Sequence, residues 1–199
     1  MTACAERPVI AGTDEAGRGP LAGPVVAAAV ILSVGQREAL LARGLKDSKK
    51  MTPKKREDMF SFMNELGVIW RAQAASPYRI DRMNILQASF WCMRRSVEKL
   101  NVRPELVLVD GCLKIPRLLT PQKSVVKGDS KVPAIAAASV VAKVLRDRVM
   151  RELDEKYPEY GFANHKGYPC RAHRAVLESV GPCQIHRLTF KGVERSALI

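Results

Sequence analysis

Unbroken apolar runs alternate along the chain with stripes at helical spacing. Val25–Leu32 is apolar throughout, with no polar alternation, which predicts a strand covered on both faces. Val9–Thr13, Val68–Ala75 and Leu106–Val109 read as further strands, and Gln122–Lys127 as a shorter one. Thr52-Pro53 has the chemistry of an N-cap and first helical residue. The stripe Met59, Phe60, Met63 and Leu66 follows, and Gly67 stops it. Leu86, Phe90, Met93, Val97 and Leu100 mark a second helix, with Arg94, Arg95, Glu98 and Lys99 on its other face. Gly128-Asp129-Ser130 opens a long helix with Pro133 in its first turn. Its buried face is Ile135, Ala138, Ala142, Leu145 and Val149, and Tyr157-Pro158 ends it. The small residues of Ala134–Ala142 predict close packing against a sheet. Gly161–Cys170 reads as a loop, Arg171–Val180 as a short helix, and the remaining tail as irregular or weakly helical.

Strands alternating with helices predict an α/β fold. No repeat, low-complexity tract or linker interrupts the 199 residues. One domain over 1–199 is expected, with roughly 157–199 as a C-terminal appendage.

Composition narrows the function. Against 20 acidic residues stand 33 Lys and Arg, a net charge of +13, which favours a polyanionic partner held by phosphate neutralisation. An anionic membrane would need an amphipathic basic helix or a lipidation signal. Neither is visible, so no membrane partner is expected. Cysteines fall at 4, 92, 112, 170 and 183, an odd number with no C-x-x-C pair, the pattern of a reduced cytoplasmic protein. His165, His173 and His186 lack zinc-protease spacing, and Met1–Pro8 has no signal-peptide character. A cytoplasmic monomer is expected.

The candidate chemistry gathers at strand ends. Asp14 and Glu15 follow an apolar strand and run into Gly17-Arg18-Gly19, and Asp110-Gly111 ends another strand. Neighbouring strands bring Asp14 and Asp110 side by side, although 96 positions separate them. Carboxylates that close repel unless a cation or proton lies between them, and Mg²⁺ prefers such oxygen ligands. Successive strand residues point to opposite faces, so Asp14 and Glu15 cannot both face inward from a regular strand. One ligates from the strand while the other turns with the loop or uses its backbone, and Asp14 takes the central position. Asp129 alone reads as a helix cap, and Asp147, with Lys143 and Arg151 four residues either side, as a surface salt bridge. Gly17–Gly23 does not fit a dinucleotide fingerprint, because the spacing is off by one and Pro20 interrupts it. A loop that closely approaches a sugar–phosphate backbone suits it better. Lys46, Lys49, Lys50, Lys54, Lys55 and Arg56 form a basic cluster that also reads as a solvated face. Tyr168, beside Lys166 and Gly167, has either a stacking or a packing role.

Taken together, these motifs resemble the bacterial ribonuclease HII family over nearly the whole chain. The resemblance is carried by Asp14-Glu15-Ala16-Gly17-Arg18-Gly19-Pro20-Leu21-Ala22-Gly23-Pro24, Asp47-Ser48-Lys49-Lys50 and Val109-Asp110-Gly111. Lys127-Gly128-Asp129-Ser130-Lys131, Ala137-Ala138-Ser139-Val140-Val141-Ala142-Lys143 and His165-Lys166-Gly167-Tyr168 extend it. It implies a ribonuclease H-like fold, a central mixed sheet flanked by helices with a helical C-terminal part. It implies an endonuclease that cuts the RNA strand of RNA/DNA hybrids and incises 5′ of single ribonucleotides in duplex DNA. By resemblance the catalytic and metal-binding acids are Asp14, Glu15, Asp110 and Asp129, which overrides the cap reading of Asp129. Gly17, Arg18 and Gly19 would read the backbone and Tyr168 the junction, with Asp47, Ser48, Lys49 and Lys166 also at the substrate. Two Mg²⁺ or Mn²⁺ ions about 3.5–4 Å apart would flank the scissile phosphate and leave 5′-phosphate and 3′-hydroxyl ends. Two other readings stay open at this point: a non-catalytic basic nucleic-acid-binding module, and another metal nuclease on the same fold.

Overall fold

A computed structural model describes residues 8–193. Cys4, most of the N-terminal segment read above and the last six positions lie outside that range. Five strands of the described residues form one sheet: β1 (Ile10–Ala16), β2 (Val25–Ile31), β3 (Ile69–Ala75), β4 (Leu106–Asp110) and β5 (Gln122–Val125). Their order is β3-β2-β1-β4-β5. The first three strands pair antiparallel, while β4 runs parallel to β1 and β5 parallel to β4. This is the expected mixed sheet.

Among the described residues seven helices accompany it: α1 (Val34–Ala42), α2 (Pro53–Glu65), α3 (Pro77–Met83), α4 (Ile85–Glu98), α5 (Pro133–Lys156), α6 (Phe162–His165) and α7 (Arg171–Val180). The alternation of β2 divides its apolar run between two cores. Ala28 and Val30 pack with Met59, Phe60 and Met63 of α2 and the alanines of α5. Val25, Ala27 and Ala29 pack with Ala88, Cys92, Met93 and Val97 of α4 and with Val107 and Val109 of β4. An apolar residue at every position is therefore what this strand needs.

The small-residue stretch of α5 lies directly on β1. A Cβ on Gly12 would fall 2.3 Å from the Ala134 carbonyl carbon and 2.4 Å from the Ile135 nitrogen. No side chain fits between this strand and this helix.

Several boundaries differ from the expected ones. β1 continues past Thr13 to Ala16, because β2 pairs with it as far as Val26. Both Asp14 and Glu15 therefore sit inside a strand. Gly128–Ser130 is a separate 3-10 turn and α5 begins only at Pro133, so Asp129 caps no α-helix. Helices α1 and α3 were not anticipated. Ser33 and Gln36 form a capping box for α1, and Ser76, directly after β3, caps α3. The loop over Gly161–Cys170 contains α6.

Beyond α5 the chain builds a third core from Leu21, Ala22, Met150, Tyr160, Phe162, Leu177 and Val193. The irregular tail returns to the segment after β1. Ala22 bridges His186, Gly23 N–H donates to Ile185 C=O at 2.9 Å, and Arg187 N–H donates to Leu21 C=O at 2.8 Å. Among the described residues no helix is long and apolar enough to cross a membrane. Cys92, Cys112, Cys170 and Cys183 are free thiols.

Candidate active site

The parallel pairing of β1 with β4 runs to Thr13 opposite Val109, so Asp14 and Asp110 come next on adjacent strands. Asp14 is only 4% exposed. The Glu15 N–H donates to its Oδ1 at 2.7 Å, and the Ser139 hydroxyl of α5 hydrogen-bonds it from the helix side. Burial pushes the Asp14 carboxyl well above the usual carboxylate range, and the charges of Glu15 and Asp110 push it further. The two hydrogen bonds offset only part of that rise. Glu15 is raised as well, chiefly by burial and then by Asp110, against the pull of Arg18 3.4 Å away.

Strand alternation decides how the adjacent acids share the site. Asp14 faces α5, while Glu15 faces a groove lined by Arg18, Leu86, Phe90, Met93 and Asp110. Asp110 in turn ties down the next acid: its Oδ1 accepts the N–H of Gly128 at 2.7 Å and of Asp129 at 3.3 Å. Asp129 is 8% exposed, and its Oδ2 lies 3.5 Å from Lys49 Nζ. Burial alone would lower the Lys49 ammonium, but Asp129, Asp14 and Asp47 outweigh it and raise it. Asp47 caps its own 3-10 turn by accepting the Lys49 N–H at 2.9 Å. Ser48 is buried, with its Oγ 2.8 Å from Ser139 Oγ, so of this trio Lys49 is the residue whose head group meets the acids.

Among the described residues no three of these acids are closed into metal-ligand spacing. Each is engaged by the protein instead: Glu15 by Arg18, Asp110 by two backbone amides and Asp129 by Lys49. The donor set nevertheless fits a hard divalent cation. All four donors are carboxylates, and the mutual repulsion at Asp14 is what such a cation relieves.

The second half of the site is a pair of loops held by two buried arginines. Gly17 has φ of +97°, and a Cβ there would fall 2.0 Å from Arg146 Nε. Arg146 Nε donates to Pro24 C=O at 2.9 Å, and its Nη2 donates to Ala22 C=O at 3.2 Å and Lys166 C=O at 3.0 Å. Arg187 donates to Gly23, Arg18 and Gly17 carbonyls at 3.0, 3.0 and 2.6 Å. Burial, with Arg146 nearby, pushes the Arg187 guanidinium down to about 9, which leaves it charged at neutral pH. The Leu21 N–H closes the loops together on Gly167 C=O at 2.8 Å. Tyr168 therefore stands beside Gly19, 3.8 Å from the position of a Cβ there, and is 44% exposed. Beneath it, His173 Nδ1 lies 3.0 Å from Tyr168 C=O and His173 Nε2 lies 3.0 Å from His186 Nε2. Lys166 turns away from the acids: its Nζ donates to Ala163 C=O and lines a cleft with Arg56, Asp147 and Arg151.

Two expectations about charged residues are corrected. Arg56 is no surface cation, because it is buried and donates to Ser48 and Met51 carbonyls at 2.9 and 2.6 Å. Asp147 is no surface salt bridge; at 7% exposure it lies between Lys143 at 2.7 Å and Arg56 at 3.4 Å. The Arg151 guanidinium donates to the Asp147 backbone carbonyl at 3.3 Å and pairs with the Glu57 carboxylate, not that of Asp147, at 2.7 Å. Removing one member of a buried charge cluster strands the others. Asp147→Ala is therefore expected to cost on the order of 3–5 kcal/mol, read from the urea midpoint at constant slope.

Sequence reasoning missed Arg146 and Arg187. One sits at an ordinary helix position and the other in an irregular tail, and nothing local marks either as buried.

Comparison with known proteins agrees with this geometry. The family model for ribonuclease HII matches residues 11–193. A ribonuclease HII of Acaryochloris marina is 51% identical over 189 residues, covering 95% of this chain and 96% of the relative. One from Geobacter metallireducens is 51% identical over 185 residues, covering 93% and 84%. The crystal structure of the ribonuclease H2 from Pyrococcus horikoshii superposes with a TM-score of 0.80 at 29% identity, covering 93% of this chain and 95% of that one.

Proposed function

The chain belongs to the ribonuclease HII family, and from that premise we propose which nucleic acid it cuts, where, and with which residues. It is an endoribonuclease acting on RNA/DNA hybrids. Its further substrate is duplex DNA carrying single ribonucleotides, and the cut falls on the 5′ side of the ribonucleotide. The observation that carries this reading is the continuity of acids and reading loop. Glu15 touches Arg18 at 3.4 Å, and the next residue, Gly19, adjoins Tyr168. One run of chain thus joins a hydrolytic site to a backbone-reading surface.

Asp14, Glu15, Asp110 and Asp129 are the residues that would hold Mg²⁺ or Mn²⁺. Bound there, such ions polarise the phosphoryl oxygen and lower the pKa of a coordinated water. The chain's own residues do the rest. Burial favours the protonated forms of Asp14 and Glu15, and a cation held between the acids would favour their charged forms. Lys49 balances the acid charge at Asp129 and lies where the phosphate of a bound strand must approach. Hydrolysis breaks the bond between phosphorus and the 3′ oxygen. The water oxygen stays on the 5′-phosphate, and a proton goes to the 3′ oxygen.

Ribose is distinguished by its 2′-hydroxyl, which backbone groups of Gly17–Gly19 reach because the glycines leave the approach open. Tyr168 packs on the sugar of the following nucleotide and favours the smaller deoxyribose. The net charge of +13 supplies sequence-independent attraction to phosphate. A monomer working in the cytoplasm belongs to the same reading, where thiols such as the four described cysteines stay reduced.

Tyr168→Ala tests the junction reading. On a single-ribonucleotide duplex its kcat/KM is expected to fall by about 10-fold or more, in line with roughly 1–3 kcal/mol for one aromatic stacking contact. On a uniform RNA/DNA hybrid the loss is expected to be several-fold smaller. Equal losses on the two substrates would remove Tyr168 from the reading of the junction.

A further inference from the structure

The loop after β1 carries two peptide N–H groups, those of Arg18 and Gly19, that find no protein acceptor among the described residues. The carbonyls of the same two peptide units point the other way. Gly17 C=O accepts from Arg187 Nη2 at 2.6 Å and Arg18 C=O from Arg187 Nη1 at 3.0 Å. All peptide bonds here are trans, and in a trans unit C=O and N–H are opposed. Fixing both carbonyls inward therefore fixes both N–H groups outward. We propose that Arg187 is a positioning residue, whose planar fork turns the Arg18 and Gly19 N–H groups into a preset donor pair for the ribose 2′-hydroxyl and its neighbouring phosphate. This role rests on the junction-reading function proposed above.

Three features suit Arg187 to the task. Its Nε also holds Gly23 C=O at 3.0 Å, so one guanidinium spans both ends of the loop. It is completely buried, and its backbone is pinned by the Leu21 bond at 2.8 Å, so the fork cannot drift. Five N–H donors in a rigid plane can meet three carbonyls at once, which the single ammonium of lysine cannot do in the same geometry. Arg146 has a different task, since its bonds to Ala22, Pro24 and Lys166 carbonyls join the loop to the Tyr168 segment without touching the Gly17 or Arg18 carbonyls.

The test compares Arg187→Met, Arg187→Lys and Tyr160→Phe. Tyr160→Phe serves as a stability control, because it removes a hydroxyl that donates to Gly181 C=O at 2.8 Å in the same C-terminal core and touches neither the Gly17 nor the Arg18 carbonyl. Each variant is assayed on duplexes carrying one ribonucleotide or one 2′-fluoro nucleotide, alongside thermal unfolding. Arg187→Met is expected to lose about 100-fold in kcat/KM on the ribonucleotide and to narrow the preference for ribose over 2′-fluoro by at least about tenfold. These figures correspond to roughly 2.7 and 1.4 kcal/mol of transition-state binding. Arg187→Lys should recover part of the preference, and Tyr160→Phe should lose stability while keeping the preference whole. A folded Arg187→Met with the wild-type preference overturns the role, as does an equal narrowing in Tyr160→Phe.

The wild-type protein gives a second readout that does not depend on a variant folding. In NMR with EDTA present, the Arg18 and Gly19 amides should exchange freely in the free protein. They should shift on adding the ribonucleotide duplex and shift less with an all-deoxy duplex. Protection of both amides in the free protein overturns the proposal. A wild type with no ribose preference takes down the junction reading and Arg187's role together, whereas a preference that survives in Arg187→Met takes down only the latter.

Discussion

Asp14→Asn is expected to lose cleavage by on the order of 10³-fold and, with EDTA present, to unfold at a higher temperature than the wild type. The first effect follows from the charge the site needs. Asp14 is the acid that both Glu15 and Asp110 press upon, and a neutral amide in its place removes the charge at the centre of the proposed metal site. Losing one preorganised electrostatic group of an active site costs about 3–4 kcal/mol of transition-state stabilisation. The second effect follows from linkage. The folded-state pKa of Asp14 is raised above its ordinary value of 3.8, so the native state holds this proton more tightly than the unfolded chain does. That contribution to stability is complete below 3.8 and is lost as pH rises through the raised folded value. At pH values above 3.8 the metal-free wild type therefore bears an ionisation penalty at this buried, repelled carboxyl that asparagine lacks. Adding Mg²⁺ should stabilise the wild type and leave the variant unchanged, because a ligand stabilises only the state that binds it. A cleavage assay in Mg²⁺ measures the first effect, and thermal unfolding from pH 5 to 8, with EDTA or Mg²⁺, measures the second. An Asp14→Asn protein that melts below the metal-free wild type at pH 7 would contradict the electrostatic account of this site.

Gly12→Ala is expected to lower stability by about 3 kcal/mol, and the melting temperature by roughly 10 °C for a chain of this size. The added methyl would meet backbone atoms of α5 at 2.3 and 2.4 Å, and no rotamer change relieves a clash with backbone. The first turn of α5 must lift from β1, and that helix also brings Ser139 to Asp14. Activity should therefore fall together with stability, unlike in Asp14→Asn, where the two move in opposite directions. Urea denaturation at constant slope gives the stability change. A melting temperature within two degrees of wild type would mean that α5 and β1 are not locked at this contact.

These two positions mark how far the sequence could be read. Asp14 and Asp110 were legible because each ends an apolar run, and parallel neighbours place such ends side by side. The two-core role of β2 was legible because no polar residue interrupts it. Asp129 was legible only through family resemblance. Taken alone, Lys127-Gly128-Asp129-Ser130 looks like a helix start, and only the structure separates that turn from Pro133. Helix α1 carried a readable signal in Ser33 and Gln36, but of its residues only Leu40 is buried, so no apolar stripe announced it. Arg56, Arg146 and Arg187 were illegible for a common reason. Each is buried against at least one partner far away in sequence, Asp147 for Arg56 and loop carbonyls for Arg146 and Arg187, and a pattern of neighbouring residues carries no trace of such partners. The tail that holds Arg187 read only as irregular or weakly helical for the same reason, although it pairs with the loop after β1.

The most direct test of the account is to map the cut made in duplex DNA carrying one ribonucleotide, with Mg²⁺, Mn²⁺ or EDTA present. The predicted result is a single nick on the 5′ side of the ribonucleotide, with 5′-phosphate and 3′-hydroxyl ends, in either metal and none in EDTA. Binding without a nick, or a nick that persists in EDTA, would contradict it and reopen the assignment of Asp14, Glu15, Asp110 and Asp129.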